Sequence, residues 1–146
     1  MTARLDMAEL QNEINEFLSQ QVPELSQKCL RKMGLDLLRG CVMKSPVQTG
    51  RFRGNWQASA NAPNPTAVAT VDKRARGTPP GAEVWTRAMA ALKQARPFGI
   101  CYVQNNLPYA RRIETGWSQQ SPMGVLALTL AELRSEIYEP EELANV

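Results

Sequence analysis

The longest helical repeat of the chain follows Pro23 and places apolar residues at four-residue steps. The residues that recur at these steps are Leu25, Cys29, Met33, Leu37 and Cys41. Such spacing puts all of them on one face of an α-helix, so we predict a helix over residues 23–43. Ser45-Pro46 ends the pattern, because the residue before a proline is pushed out of the helical region of backbone space.

A second apolar stripe precedes Pro23 and also has helical spacing. It consists of Leu5, Ala8, Leu10, Ile14, Phe17 and Leu18. Pro23 lies between the two stripes and predicts either a kink or the first turn of a second helix. Because an amphipathic helix must bury its apolar face, we expect residues 1–22 to pack on the rest of this chain or on a neighbouring subunit. The sequence leaves both alternatives open.

The middle of the chain shows the alternation that is typical of β-strands. Residues 55–62 alternate around Trp56, and residues 66–71 alternate again. The Asn- and Pro-rich stretch 61–65 between them indicates a turn, so we predict a β-hairpin. A short β run is predicted at 100–103. We expect Trp56 to lie in the core, with an interface anchor as the alternative.

Three further helices are predicted over 82–95, 108–116 and 122–138. The apolar residues of the last one are Val125, Leu128, Leu133 and Ile137. Residues 72–81 form a basic, Pro- and Gly-rich segment without apolar periodicity, which predicts a flexible loop. The acidic tail 139–146 is expected to fray.

One α+β domain over residues 1–146 accounts for these elements, and this length is usual for a single domain. The predicted fold is a small antiparallel or mixed sheet with a β-hairpin. A long N-terminal helical region and further helices, including a C-terminal one, pack against the sheet. No apolar run is long enough to span a membrane, and the start resembles no signal peptide. We therefore expect the chain to be made in the cytoplasm.

The chain contains no histidine, and this restricts its chemistry more than any other feature of composition. Histidine-dependent nucleophile systems and the usual histidine-containing metal sites are excluded. The three cysteines lack the CxxC spacing of zinc sites and are expected to be free, buried thiols. No segment has the pattern of a phosphate-binding loop or of paired catalytic carboxylates. We therefore expect no catalytic residue, cofactor or metal, and a protein that is not an enzyme.

Charge is distributed unevenly along the chain. Residues 1–50 hold six acidic and six basic residues, and residues 51–112 hold two acidic and ten basic ones. Residues 113–146 hold six acidic residues and one basic residue, so the three net charges are 0, +8 and −5 and sum to +3. This pattern fits a mixed surface charge, attraction between neighbouring copies, or a basic surface that faces DNA.

Two segments carry more information than periodicity alone. SPVQTGRFRGNW at 45–56 joins the predicted helix to the predicted strand through a tight turn. NLPYARRIETGW at 106–117 is followed by SQQSPMG at 118–124. With these segments in this order, the chain resembles the tail-component proteins of long-tailed bacteriophages, which act in tail completion and head-to-tail joining. The resemblance covers about residues 25–138.

The resemblance and the charge pattern together assign roles to particular residues. The residues expected at an assembly interface are Arg51, Arg53, Lys73, Arg74, Arg76, Arg111, Arg112, Glu114 and Trp117. The residues expected to shape the two motifs are Pro46, Thr49, Gly50, Trp56, Pro108, Tyr109 and Gly116. Gln48 stands where the family usually has Asp, so this turn offers Arg51 and Arg53 a neutral hydrogen-bond acceptor in place of an ion pair. Glu114 is a further candidate partner for either arginine.

The resemblance implies a structural subunit of the virion at the neck or tail. Such a subunit would form a ring of identical copies, a hexamer, at the head-proximal end of the tail tube. Its partners would be its own copies, adjacent neck or connector proteins, and tail-tube or terminator proteins, with no membrane involved. Contact with DNA in the channel would be unspecific and made to phosphates. The alternative interpretation of the +8 segment is a basic nucleic-acid-binding module.

Overall fold

The computed structural model describes residues 1–2, 4, 6–136 and 138–146. The helices are α1 (Met7–Glu16), α2 (Val22–Lys44), α3 (Arg51–Gly54), α4 (Ala82–Leu92), α5 (Ala110–Glu114), α6 (Leu126–Leu133) and α7 (Pro140–Leu143). A π-helical turn (Phe17–Gln21) joins α1 to α2, and strands β1 (Trp56–Ala60) and β2 (Cys101–Asn105) pair antiparallel. The predicted α+β class is confirmed. The predictions for Leu5 and Ile137 lie outside the described residues.

One continuous helical run extends from Met7 to Lys44. At its π-helical turn the N–H of Val22 bonds to the carbonyl of Phe17, one residue further back than in an α-helix. Pro23 lies in the first turn of α2, which confirms one of the two alternatives predicted for it. Extended backbone at Ser45 ends α2, also as predicted. In the described part of the chain, neither this run nor any other helix is long and apolar enough to cross a membrane.

The hydrophobic core lies between the C-terminal half of α2, the sheet and α4. The buried apolar side chains that meet there include Leu38, Cys41, Val42, Trp56, Ala58, Val84, Ala88, Leu92, Ile113 and Val125. The four-residue spacing of Val84, Ala88 and Leu92 brings them to one buried face of α4. Burial of each large aliphatic side chain stabilises the fold by roughly 1.5–3 kcal/mol. The core therefore fixes the ends of α2 and β1, between which the first motif runs.

The predicted β-hairpin between residues 55–62 and 66–71 is wrong. β1 pairs with β2, which is distant in sequence, and Trp56 lies opposite Asn105. The short β run predicted at 100–103 corresponds to β2 and is confirmed. The sheet therefore closes the fold through a long-range contact and brings the second motif next to the first.

Residues 66–71 do not form a strand because side chains bond to their backbone in place of a neighbouring strand. The side-chain carbonyl of Asn55 accepts a hydrogen bond from the N–H of Val68 at 2.9 Å. The side-chain amide of Gln57 donates to the carbonyl of Thr66 at 2.9 Å. These bonds hold the segment in an irregular path along β1.

The C-terminal helix is shorter than the predicted 122–138. Gly124 has a φ of 81°, and a Cβ atom there would lie 2.5 Å from the carbonyl oxygen of Glu114. Left-handed backbone of this kind cannot continue an α-helix, so α6 begins only at Leu126.

The acidic tail 139–146 was predicted to fray, but it contains a short helix. Glu139 and Glu142 form a reciprocal capping box at the start of α7. Leu143 is buried, and α7 packs against α2. The buried Leu143 and the capped turn hold this part of the chain against α2.

Candidate assembly surface

The two motif segments, 45–56 and 106–124, lie side by side and enclose a groove of about 670 Å³. We call this groove the motif groove. The side chains that line it include Thr49, Phe52, Tyr109, Arg112, Ile113 and Trp117. Aromatic and cationic groups thus share one concave surface, which is a composition typical of protein interfaces.

Polar side chains of the second motif bind the backbone of the first. Gln120 accepts a hydrogen bond from the N–H of Val47 at 2.9 Å and donates to the carbonyl of Val47 at 3.3 Å. Ser121 Oγ donates to the carbonyl of Lys44, at the end of α2, at 2.8 Å. Because the partners at Lys44 and Val47 are backbone groups, the path of the chain itself sets the width of the groove.

A tight turn at Thr49-Gly50 forms one end of the groove. Gly50 has a φ of 79°, and a Cβ atom there would lie 2.5 Å from the carbonyl oxygen of Asp72. The carbonyl of Gly50 accepts hydrogen bonds from the N–H groups of Gly54 and Asp72, each at 2.9 Å. Thr49 Oγ1 accepts from the N–H of Arg51 at 3.3 Å. Gly50 thus adopts backbone that favours glycine, and Thr49 bonds within the turn.

Arg53 was predicted to lie at an interface, but its side chain is 0% exposed and lies inside the fold. Its Nε donates to the carboxylate of Asp72 at 3.0 Å, and Nη1 donates to the carbonyl of Val42 at 3.0 Å. Nη2 donates to the carbonyl of Thr78 at 2.6 Å and to that of Pro79. These acceptors satisfy a charge whose burial without a partner costs several kcal/mol.

The basic segment 72–81 is folded around Arg53, which corrects the prediction of a flexible loop. The N–H of Gly77 also donates to the carbonyl of Met43 at 2.8 Å. The cations of the segment that remain exposed are Lys73, Arg74 and Arg76. Sequence reasoning missed the role of Asp72. Its position as the lone acidic residue in a basic segment could have indicated that Asp72 pairs with a cation.

Asp72 should make the stability of the fold sensitive to acid. Burial alone would raise the pKa of its carboxyl. The N–H groups of Gly81 and Arg74 and the guanidinium of Arg53 outweigh burial and hold this pKa below its usual value. A carboxyl pKa depressed by folding adds stability above the unfolded-state pKa of about 3.9, and this stability is lost as the pH falls through the folded-state pKa.

We therefore expect the free energy of unfolding to decline below about pH 4. Asp72→Asn should reduce that decline, because the variant no longer loses a charged acceptor on acidification. Urea unfolding at neutral and acid pH measures both quantities. The same pH dependence in the wild type and in Asp72→Asn would contradict this prediction.

Glu114 does not pair with Arg51 or Arg53, so that prediction is wrong. Its carboxylate lies at the start of α6 and accepts hydrogen bonds from three backbone N–H groups there. The donors are Val125 at 2.9 Å, Leu126 at 2.8 Å and Ala127 at 2.8 Å. A carboxylate at this position satisfies N–H groups that have no partner within the helix and interacts favourably with the helix dipole.

Glu114→Ala should lower the free energy of unfolding by about 1.5–3 kcal/mol, the usual contribution of hydrogen bonds to a charged group. Glu136→Ala is the matched control, since Glu136 is an exposed glutamate of the C-terminal region. Urea unfolding of both variants measures the difference. Equal stability of the two variants would show that the capping contacts contribute nothing.

The motif residues Pro108, Tyr109 and Gly116 flank α5. Pro108 precedes the helix, and Tyr109 takes the position before its first residue. Gly116 has a φ of 88°, and the N–H of Trp117 returns to the carbonyl of Arg112 at 3.1 Å. This left-handed closure ends α5 and directs the chain along the motif groove.

The remaining predicted interface residues are on the surface. Trp117 is 74% exposed, and Arg51, Arg111 and Arg112 are also exposed. The ring of Tyr109 is half-exposed, with its centroid 6.3 Å from that of Phe52. The structure therefore brings Trp117, Tyr109 and Arg112 together at the motif groove with their side chains exposed.

Residues 7–21, which we call the N-terminal arm, carry an uncovered apolar stripe. The exposed apolar side chains of the arm are Met7, Leu10, Ile14, Phe17 and Leu18. No residue of the arm is buried. Two alternatives were predicted for this helix: packing on the rest of this chain or on a neighbouring subunit. Among the described residues, it does not pack on the rest of this chain.

No protein-family model, no curated protein and no solved structure matches this chain. The observations that bear on its function are therefore its two motifs, the groove that they enclose and the exposed apolar arm.

Proposed function

We propose that this chain is a ring-forming structural subunit of a tailed-phage virion that acts at the neck or tail end and joins the tail to the head connector. The assignment to a virion rests on the resemblance carried by residues 45–56 and 106–124. The observation that most directly supports the assembly role is the uncovered apolar stripe of the N-terminal arm. Such a subunit works by burying surface between copies and involves no chemical turnover.

The exposed stripe of the arm supports an assembly role on energetic grounds. Five large apolar side chains remain in contact with water in the isolated chain. Covering each of them by a partner would contribute roughly 1.5–3 kcal/mol before the entropy of association is subtracted. Exposed apolar surface of this size and continuity is characteristic of interaction sites. Contacts between unlike surfaces of identical subunits close into rings when the rotation permits.

A null mutation of this gene in the phage that carries it tests the proposal. Without the subunit, electron microscopy of lysates should show filled heads and separate tails that fail to join. Wild-type protein supplied from a plasmid should restore infectious particles, whereas Ile14→Asp/Phe17→Asp should not. Infectious particles with head-attached tails in the null mutant would refute the virion role.

A second candidate function is a basic nucleic-acid-binding module, which the exposed cations of segment 72–81 favour. Lys73, Arg74 and Arg76 are all exposed, and exposed Arg39 of α2 borders the same shallow hollow as Arg74. They form no ion pair within the described residues. Phosphate contacts by such a cluster would be independent of base sequence and strongly dependent on salt.

Gel-shift titrations at low and high salt separate the two candidates. A nucleic-acid-binding module should bind duplex DNA tightly as the free protein, and the affinity should fall steeply with salt. Lys73→Ala/Arg74→Ala/Arg76→Ala should then abolish binding. Under the virion proposal, the free chain shows at most weak binding that disappears at physiological salt.

A further inference from the structure

The N-terminal arm has an acidic flank as well as an apolar stripe. Glu9, Glu13 and Glu16 are spaced four and three residues apart, so they lie along one side of the helix, next to the stripe. No lysine or arginine occurs between Asp6 and Gln27. A surface that covers the arm should therefore combine apolar contact with positive charge on one side.

The motif groove has this complementary composition. Trp117 and Tyr109 present exposed aromatic surface, and Arg112 lines the groove beside them. Arg51 and Arg111 add exposed positive charge to the same two motifs. Aromatic and arginine side chains are the groups most often found at energetically dominant positions of interfaces.

The arm and the groove lie at opposite ends of α2. The arm precedes Val22, whereas the groove begins just after Lys44. With a rise of 1.5 Å per residue, α2 separates the two by about 35 Å. Because the backbone is helical throughout this run, an arm cannot fold back into its own groove. Only the groove of another copy is available to it.

Pairing of two arms with each other is the competing arrangement, and charge disfavours it. Each arm carries three glutamates and no base, so two arms packed along their stripes would bring like charges together. The groove offers the cation of Arg112 instead. Charge complementarity therefore favours contact between arm and groove over contact between arm and arm.

We propose that the N-terminal arm of each copy docks in the motif groove of the next copy. Leu10, Ile14 and Phe17 contact Tyr109 and Trp117, and the glutamate flank faces Arg112. This contact joins unlike surfaces, so it repeats from copy to copy and closes a ring when the rotation between copies permits. The inference rests on the self-assembly in the proposed function but not on its assignment to a virion.

Two full-length variants, each with one half of the contact removed, test this arrangement. The arm variant is Ile14→Asp/Phe17→Asp, and the groove variant is Trp117→Asp/Arg112→Glu. All four positions are exposed, and circular dichroism with thermal melting checks that both variants fold. The matched control is Ile100→Asp/Arg96→Glu, which makes the same kinds of change at exposed positions outside both surfaces.

Native mass spectrometry and sedimentation velocity over a dilution series give the readout. Wild type and control should assemble, and each of the two variants alone should be monomeric. An equimolar mixture of the two variants should form a heterodimer and nothing larger, because it contains one intact arm and one intact groove per pair.

Two results would overturn the docking while leaving ring formation intact. One is a groove variant that assembles as the wild type does, and the other is a mixture that stays monomeric. A wild-type chain that stays monomeric at every concentration would contradict both the docking and the proposed ring.

Discussion

Arg53→Ala should destabilise the fold by about 3–5 kcal/mol, the usual cost of removing one partner of a buried ion pair. Arg53 is completely buried, and its guanidinium bonds Asp72 together with backbone carbonyls of α2 and of segment 72–81. Without it, the Asp72 carboxylate and these carbonyls are buried with fewer partners. Lysine should not restore stability, because a single ammonium group cannot reproduce the planar set of five N–H donors.

Arg51→Ala is the matched control for this prediction. Arg51 is exposed, lies two residues away and belongs to the same motif, so its loss should leave the free energy of unfolding nearly unchanged. Urea unfolding of both variants at neutral pH measures the contrast. Similar stability of Arg53→Ala and Arg51→Ala would mean that the network around Arg53 does not support the fold.

Trp56→Ala should have an effect of similar size, about 3–5 kcal/mol, because it removes a large aromatic side chain from the core. Trp56 is 4% exposed, and its Nε1 donates to Ser45 Oγ at 2.7 Å. Its ring also meets that of Phe52 edge-on at a centroid distance of 5.7 Å. The variant would lose the packing, the hydrogen bond and the aromatic contact together.

Trp117→Ala is the opposite case and serves as the control for Trp56→Ala. Because Trp117 is exposed, its removal should leave stability nearly unchanged and weaken assembly instead. Thermal unfolding and sedimentation of both variants separate these effects. A large loss of stability in Trp117→Ala, or none in Trp56→Ala, would contradict the structural contrast between an exposed and a buried tryptophan.

Local patterns predicted the helices well. In α4 the side chains at four-residue spacing are the ones that the core buries. In α2 only Cys41 of the predicted stripe is buried, whereas Leu25 and Met33 are exposed. Ser45 and Gly50 are also local signals, since proline and glycine restrict or free the backbone whatever surrounds them. The ends of these elements could therefore be predicted from the sequence.

The failed predictions concern contacts that are distant in sequence. Residues 66–71 alternate like a strand, but Asn55 and Gln57 take up the bonds that a strand would need. Arg53 resembles a surface residue until the carbonyls of segment 72–81 close around it. Glu114 likewise caps a helix that starts twelve residues later. None of these partners is marked by a local pattern, so composition and spacing could not reveal them.

Only part of the motif groove could be predicted from the sequence. The two motifs could be singled out, and Arg51, Arg111, Arg112 and Trp117 are exposed where an interface would need them. That the motifs form one concave surface depends on the pairing of β1 with β2, which the sequence did not predict. The uncovered stripe of the arm likewise required the structure of the whole chain.

Native mass spectrometry of the purified full-length chain, combined with electron microscopy of the same sample, tests the central claim most directly. The proposed function predicts a closed ring of identical 16.2 kDa subunits, and the family resemblance predicts that it is a hexamer. A chain that remains a monomer at every concentration, with no ring visible on the grid, would contradict a ring-forming assembly subunit.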